Sequence, residues 1–431
     1  MRGKLTITAV FGALLLGLFY YMPQAPKNAP PELLQRAVIT REVPPFILSH
    51  LPGNNSELEP LPMLIASGQQ STIGVQLVEK FEIPSGKASI PGPLQIEYTF
   101  DAELMRRVRR ILTRGRVRLG HVVIMDPKTG RLLAYISTDE ENFSPTEIYP
   151  AASLMKVVTA AATLHHAPEK TKEICRYRGS PYRLTPSRVK PPKSGNEVSF
   201  RRALATSNNQ CFAQYAVGDL GRKNLFDAMS RFGFLESPAP GHAPGQVQLG
   251  ENDYDLGRAG CGLAGCQITP LHAVSLAATL ATGQRVTPYW IERVTDGLGK
   301  ELILPEPPPA RTVLTPELAE ELRTLMVDTT QTGTARKAFR NVRGRPLLGS
   351  VKVAGKTGSL SGKNPTGRYE WFVGLAPASE PTVAIAVLVV QNELWWKTAS
   401  QIAADVLKTY FCSDGVCRSD SGEKWMPAPS S

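Results

Sequence analysis

The chain has 431 residues, of which 42% are hydrophobic, enough for one large globular core, and no internal repeat is evident. Lysine and arginine outnumber aspartate and glutamate 49 to 38, a net charge of +11, so a nucleic-acid partner has to be weighed. Six histidines without an H-E-x-x-H pair leave a zinc peptidase unsupported, and the lack of G-x-S-x-G argues against a His-dependent serine hydrolase.

Leu5 to Met22 is an uncharged apolar run of 18 residues, long enough for one membrane span. Arg2 and Lys4 ahead of it would stay cytoplasmic, which puts the rest of the chain outside. A cleaved secretory signal is the rival reading. The apolar stretch is long for a signal, however, and no A-x-A-like site closes it, so an uncleaved anchor over 1–22 is expected. Residues 23–93 are rich in Pro, Gly, Asn and Ser, with strand-like pieces such as Gly74 to Phe81, and read as a stalk with at most a small pedestal.

Seven arginines, from Arg106 to Arg118, crowd the next segment, but Leu104, Val108, Ile111 and Leu112 share its other face. That pattern is an amphipathic helix covering a sheet, with its arginines solvated or near anionic lipid headgroups, and it removes the need for nucleic acid. Apolar runs at Val122 to Met125 and Leu132 to Ile136 flank Asp126-Pro127-Lys128-Thr129-Gly130, which reads as a hairpin turn.

Three short words then occur in one order: Ser153-Leu154-Met155-Lys156, Ser207-Asn208-Asn209 and Lys356-Thr357-Gly358. Each has accidental copies. Ser187 to Lys190 and Ser421 to Lys424 also fit S-x-x-K, Ser194 to Asn196 fits S-x-N, and Lys128 to Gly130 fits K-T-G. Context separates them. Pro181, Pro186, Pro191 and Pro192 deny Ser187 and Ser194 a regular helix, and Ser421 sits in a polar tail.

Pro150, by contrast, opens an Ala-rich stretch from Ala151 to His165, placing Ser153 in a first helical turn with Lys156 one turn on. A serine hydroxyl attacks only when a neighbour takes its proton, and a lysine does so once burial lowers its pKa. Ser207 and Asn209 fall in a break between two helical patterns, where they can relay a proton and bind a peptide backbone; a plain helix cap is the bland alternative. Val351 to Gly358 reads as a strand along which a peptide could add, with Lys356 and Thr357 meeting its carboxylate, although a charge blunting a sheet edge would look the same.

Six cysteines remain, at 175, 211, 261, 266, 412 and 417. Outside the membrane an even count favours disulfides, and the pairs Cys261/Cys266 and Cys412/Cys417 could each close a small loop. The same two C-x4-C pairs mimic zinc half-sites, but ordinary disulfides account for them, and neither a metal nor a cofactor is expected.

From about Gly120 to Tyr410 the chain resembles the transpeptidase domain of penicillin-binding proteins. The three words carry the resemblance together with Val122 to Ala134, Gly265 to Leu271, Gly333-Thr334-Ala335 and Trp371 to Pro377, in the family's order. Leu94 to Leu112 looks like the start of that domain. The resemblance implies Ser153 as the acylated serine, Lys156 as its base, Ser207 as relay, and Asn209, Lys356, Thr357, Gly358 and Ser359 as substrate-binding residues. The backbone N–H groups of Ser153 and Ser359 would form the oxyanion hole. Leu154-Met155 stand where the family usually has Thr-Phe, and Ala151-Ala152 where it has Pro-Gly.

The expected fold is therefore α/β, β-lactamase/transpeptidase-like. It has a mixed antiparallel five-stranded sheet (121–126, 131–137, 351–357, 369–376, 383–390) covered by helices near 102–112 and 399–410, plus a mainly helical lobe between Pro150 and Thr330. The expected division is anchor 1–22, stalk 23–93, transpeptidase domain 94–411 and polar tail 412–431; residues 23–93 are too short for a fused glycosyltransferase. The expected activity is peptidoglycan D,D-transpeptidation at D-Ala-D-Ala stems, outside a single-span membrane anchor. Stem peptides, β-lactams and cell-wall synthesis proteins are the expected partners. A D,D-carboxypeptidase and a non-enzymatic β-lactam sensor or scaffold share these residues. A β-lactamase would need a deacylating base, and no E-x-x-L-N segment follows Asn209.

Overall fold

The computed structural model describes strands at 37–42 and 76–82, then residues 94–295, 298–302, 307–391, 397–413 and 416–417. The expected anchor, most of the stalk and nearly all of the polar tail lie outside the described residues. Among those described, no helix is long and apolar enough to cross a membrane.

Strands β1 (Ala37–Glu42) and β2 (Gln76–Glu82) run parallel, and β2 pairs antiparallel with β3 (Leu94–Asp101). The chain then turns into α1 (Ala102–Arg114), capped by the Asp101 carboxylate on the Leu104 N–H. Its apolar stripe, with Leu104, Val108 and Leu112, is buried. Two of its arginines are tied rather than free: Arg106 and Arg107 both close on the buried Glu103.

Next comes the hairpin of β4 (Leu119–Met125) and β5 (Leu132–Ser137). Its turn is built by Asp126, whose side chain accepts from the Lys128 N–H at 2.8 Å, and by Gly130 at a φ of +84°. The Lys128-Thr129-Gly130 copy is thus turn chemistry.

The lobe begins with α2 (Met155–His166), which is buried on every side from Met155 to Leu164, its mostly apolar surface interrupted by Lys156, Thr159 and Thr163. It continues through the short α3 (Phe200–Ala205) and α4 (Asn209–Gln214), then α5 (Asp253–Cys261), α6 (Pro270–Thr282) and α7 (Pro316–Gln331). The lobe is less purely helical than its sequence suggests. Between α6 and α7, β6 (Ile291–Thr295) and β7 (Glu301–Leu302) complete a five-stranded sheet in the order β1-β2-β3-β6-β7.

Three long strands return the chain to β4: β8 (Ala354–Lys363), β9 (Thr366–Ala376) and β10 (Val383–Gln391). The sheet is antiparallel throughout in the order β8-β9-β10-β4-β5, so β8 is an edge strand. β8 starts three residues later than its apolar pattern suggested: Val351 and Val353 are buried but precede the ladder. The helix α8 (Ala399–Phe411) opens with a capping box of Thr398 and Gln401 and packs with α1 against the sheet. Because α6 also packs on it, β10 is buried from Val383 to Val390 and reads as an unbroken apolar run.

Of the two local cysteine pairs, Cys412–Cys417 is bonded while Cys261 and Cys266 are free and buried. The second disulfide joins Cys175 to Cys211 across 36 residues.

Candidate active site

Ser153 does not sit in a regular α-helix. A short 3-10 turn over Ala152–Leu154 precedes α2, and Ala152 is held at a φ of +49°, unfavourable for a residue with a Cβ. Three contacts fix this turn. The Trp371 indole N–H donates to the Pro150 carbonyl at 2.8 Å, the Ala151 N–H donates to the Cys266 carbonyl at 3.0 Å, and Gly262 presses against Ala152. A Cβ on Gly262 would lie 1.9 Å from the Ala152 oxygen, and its φ is +78°, so only glycine fits.

Lys156, one turn on, is wholly buried, with its Nζ 2.8 Å from Ser153 Oγ, 2.7 Å from Asn209 Oδ1 and 2.6 Å from the Cys261 carbonyl. Burial pulls its pKa from the ordinary 10.5 down to about 8, so the neutral amine is accessible near neutral pH. The neutral form has two N–H groups for Asn209 and Cys261, neither of which can donate back, and a lone pair left for the Ser153 hydroxyl.

The second word forms the sharp turn between α3 and α4. Asn208, not Ser207, is the helix cap, accepting from the Cys211 N–H at 3.1 Å. Ser207 stands in the left-handed region at a φ of +59°, a strained position that aims its hydroxyl at Lys356. Asn209 bridges outward as well as inward, its Nδ2 donating to the Tyr182 carbonyl at 2.8 Å.

On β8 the Lys356 side chain is fully buried, with Nζ 3.0 Å from Ser207 Oγ and 2.8 Å from the Thr357 carbonyl. Burial, reinforced by the charge of nearby Lys156, pushes its pKa well below the usual lysine range. Thr357 Oγ1 meets Thr334 Oγ1 at 2.6 Å, and the Ser359 hydroxyl accepts from Arg368 at 2.7 Å. All of the residues expected from the sequence therefore converge. Ser153, Ser207, Asn209, Thr357, Gly358 and Ser359 line one groove of about 750 Å³, with Lys156 and Lys356 in its floor. Ser187 and Ser194 are not among its lining residues, and Ser421 lies outside the described residues.

Sequence reasoning missed the Cys261 carbonyl, Tyr182 and Trp371 as parts of this site. Carbonyl acceptors leave no trace in a side-chain motif. Tyr182 lies in the Pro-crowded stretch whose only visible feature was its unsuitability for helix, and Trp371 was visible only through the resemblance. No cluster of three or more His, Cys, Asp or Glu side chains that could hold a metal occurs among the described residues.

Residues 120–411 match the model of the penicillin binding protein transpeptidase domain family. The chain is 26% identical over 315 residues to the peptidoglycan D,D-transpeptidase PbpA of Mycolicibacterium smegmatis, covering 63% of this chain and 61% of that protein. It is 22% identical over 337 residues to the peptidoglycan D,D-transpeptidase FtsI of Escherichia coli, covering 73% and 54%. It thus spans less than two thirds of either relative. The fold resembles the crystal structure of PBPA from Mycobacterium tuberculosis, with a TM-score of 0.61, 24% identity and coverage of 74% of this chain and 81% of that one. It also resembles Pseudomonas aeruginosa PBP2, with a TM-score of 0.62, 22% identity and coverage of 76% and 81%. With the match spanning α2, the Ser207 turn and β8 alike, the chain belongs to the penicillin-binding protein transpeptidase domain family.

Proposed function

We propose that the chain is a peptidoglycan D,D-transpeptidase acylated at Ser153. The observation that carries this reading is the 2.8 Å contact between Ser153 Oγ and a buried Lys156 whose two other acceptors favour a lone pair on the serine side. A stem ending in D-Ala-D-Ala adds along the open edge of β8, its terminal carboxylate near Lys356 and Thr357 and its backbone on the Asn209 amide. Ser153 Oγ attacks the penultimate carbonyl while Lys156 takes its proton, and the oxyanion rests on the N–H groups of Ser153 and Ser359. Ser207 passes a proton to the departing D-Ala nitrogen, the C–N bond breaks, and an ester on Ser153 remains. An amine of a neighbouring stem then attacks that ester, and its proton returns through the same groups as Ser153 is released.

The reading includes an anchor over 1–22, a stalk over 23–93, a catalytic domain over 94–411 and a tail over 412–431. The catalytic domain lies outside the membrane, where cell-wall synthesis proteins are partners. Two names among the relatives, PbpA and FtsI, support the reaction class.

Fluorescent penicillin should label the chain and fail on Ser153→Ala. Purified enzyme given polymerised glycan strands should yield cross-linked dimers. Trimmed stems without dimers, alongside a working transpeptidase control, would replace this reading with a D,D-carboxypeptidase, and labelling without turnover of any stem would leave a sensor or scaffold.

A further inference from the structure

The positive charge of this chain is not spread over it. Residues 174–196 carry six Lys and Arg and no Asp or Glu, and residues 329–369 carry nine and again none. The rest of the chain holds 34 cations against 38 carboxylates, a net −4, so the whole basic balance comes from these two segments.

Both segments wall the active groove. Tyr182 of the first lines it and accepts from Asn209, while Lys337, Thr357 and Arg368 of the second line it from the other side. Arg176, Lys190 and Arg368 meet Glu197, Asp253 and Glu370, but six others are unsatisfied. Arg183, Lys193, Arg336, Lys337, Arg343 and Arg345 are exposed, and none meets a carboxylate among the described residues. The sole carboxylate lining the groove, Glu370, is buried and lies 3.5 Å from Arg368. Lys337 and Arg368 stand in the groove's own lining, on segments that carry the other exposed cations, and like charges so grouped raise the energy of the folded chain unless an anion answers them. A patch needed only for solubility would be interspersed with acids, as the rest of this chain is.

We infer that the groove selects stem peptides whose internal carboxylates are free rather than amidated, the two cationic walls reading the charge of the strand on either side of the reacting carbonyl. This deepens the transpeptidase reading and rests on it. Charges on flexible exposed side chains act through a screened field, so the preference is expected at low ionic strength and fades as the Debye length falls below ~10 Å.

The test uses the full chain in detergent carrying Ser153→Ala, and two fluorescent pentapeptide stems ending in D-Ala-D-Ala that differ only in amidation. Anisotropy titrations should show the free-carboxylate stem binding about tenfold more tightly at 50 mM salt, with the gap closing at 500 mM. Arg343→Glu combined with Arg345→Glu, and separately Arg183→Glu, should each shrink the gap severalfold. The same changes in the Ser153 background should leave penicillin labelling and the unfolding midpoint unaltered. Equal binding of the two stems, binding of neither, or a gap that survives both charge reversals overturns the inference. So does displacement of both stems alike by short-chain phosphatidylglycerol or single-stranded DNA, which assigns the walls to those polyanions. Failure of the parent enzyme to turn over either stem refutes the transpeptidase reading, while the binding gap still decides the selectivity.

Discussion

If the neutral amine of Lys156 removes the Ser153 proton, acylation must follow the deprotonated fraction of that lysine. A group titrating at about 8 is neutral in about one tenth of molecules at pH 7, half at pH 8 and nine tenths at pH 9. The second-order rate of Ser153 acylation by a fluorescent penicillin should therefore climb about tenfold between pH 7 and 9, then level off. Rapid-quench labelling, with the adduct quantified at Ser153 and Lys156→Ala as the blank, measures this directly. A flat profile, a rate that falls with pH, or a midpoint below pH 6 would refute the claim that Lys156 is the base, because none of them follows the deprotonation of a group titrating at about 8.

Gly262→Ala should cost more than ~2 kcal/mol of stability and cut acylation at least tenfold, since the new Cβ meets the Ala152 oxygen at 1.9 Å. Gly299→Ala, with a φ of +81° but nothing within 4 Å, should cost only ~1 kcal/mol and leave acylation alone; denaturant melts and penicillin labelling of both variants check the contrast. His121 is fully buried with both ring nitrogens unpartnered, and burial drives its pKa from 6.5 to about 3. The unfolded chain takes up that proton as pH falls from 6.5 to 3 while the folded one resists, so stability drops on acidification by at most ~1.4 kcal/mol per pH step. His121→Phe, filling the same space against Phe143 and Tyr149, should flatten the slope in calorimetric scans between pH 4 and 6.5. Mass mapping without reductant should find Cys175 joined to Cys211 and Cys412 to Cys417, with free thiols at Cys261 and Cys266. Cys175→Ser should lower stability by ~4 kcal/mol, the chain-entropy value for a 36-residue loop, as read by urea melts.

What could be read in advance follows from where each signal resides. The apolar runs of β4, β5, β9 and β10 announce their strands because buried strands demand continuous apolar side chains, and Ser153 and Lys156 announce themselves because helical spacing forces them together. β6 was hidden in the expected helical lobe: Ile291-Glu292-Arg293-Val294-Thr295 is a short polar-apolar mixture that gains strand structure only by pairing with β3, nearly 200 residues earlier. The cysteines fared in between. The Cys412–Cys417 loop is a local contact and legible from spacing, whereas Cys175–Cys211 depends on α4 packing against the strand Ile174–Tyr177. Cys261 and Cys266, at the same spacing as the bonded pair, instead lend their carbonyls to Lys156 and to the Ala151 N–H.

The order of strands in the central sheet also governs when the site can be assembled. β10, from residues 383–391, docks beside β4, from residues 119–125, and β8, which carries Lys356, is joined by strand pairing to β4 only through β9 and β10. The serine and its lysine are thus made early, but the sheet edge that meets them waits for nearly the last of the domain to be synthesised. Contacts so distant in sequence form slowly and late. A chain ending before Val383 carries Ser153, Lys156 and β8 but lacks both β10, the link from β9 to β4, and the Thr398 to Gln401 side of the groove, so the site is complete only once its far end has arrived.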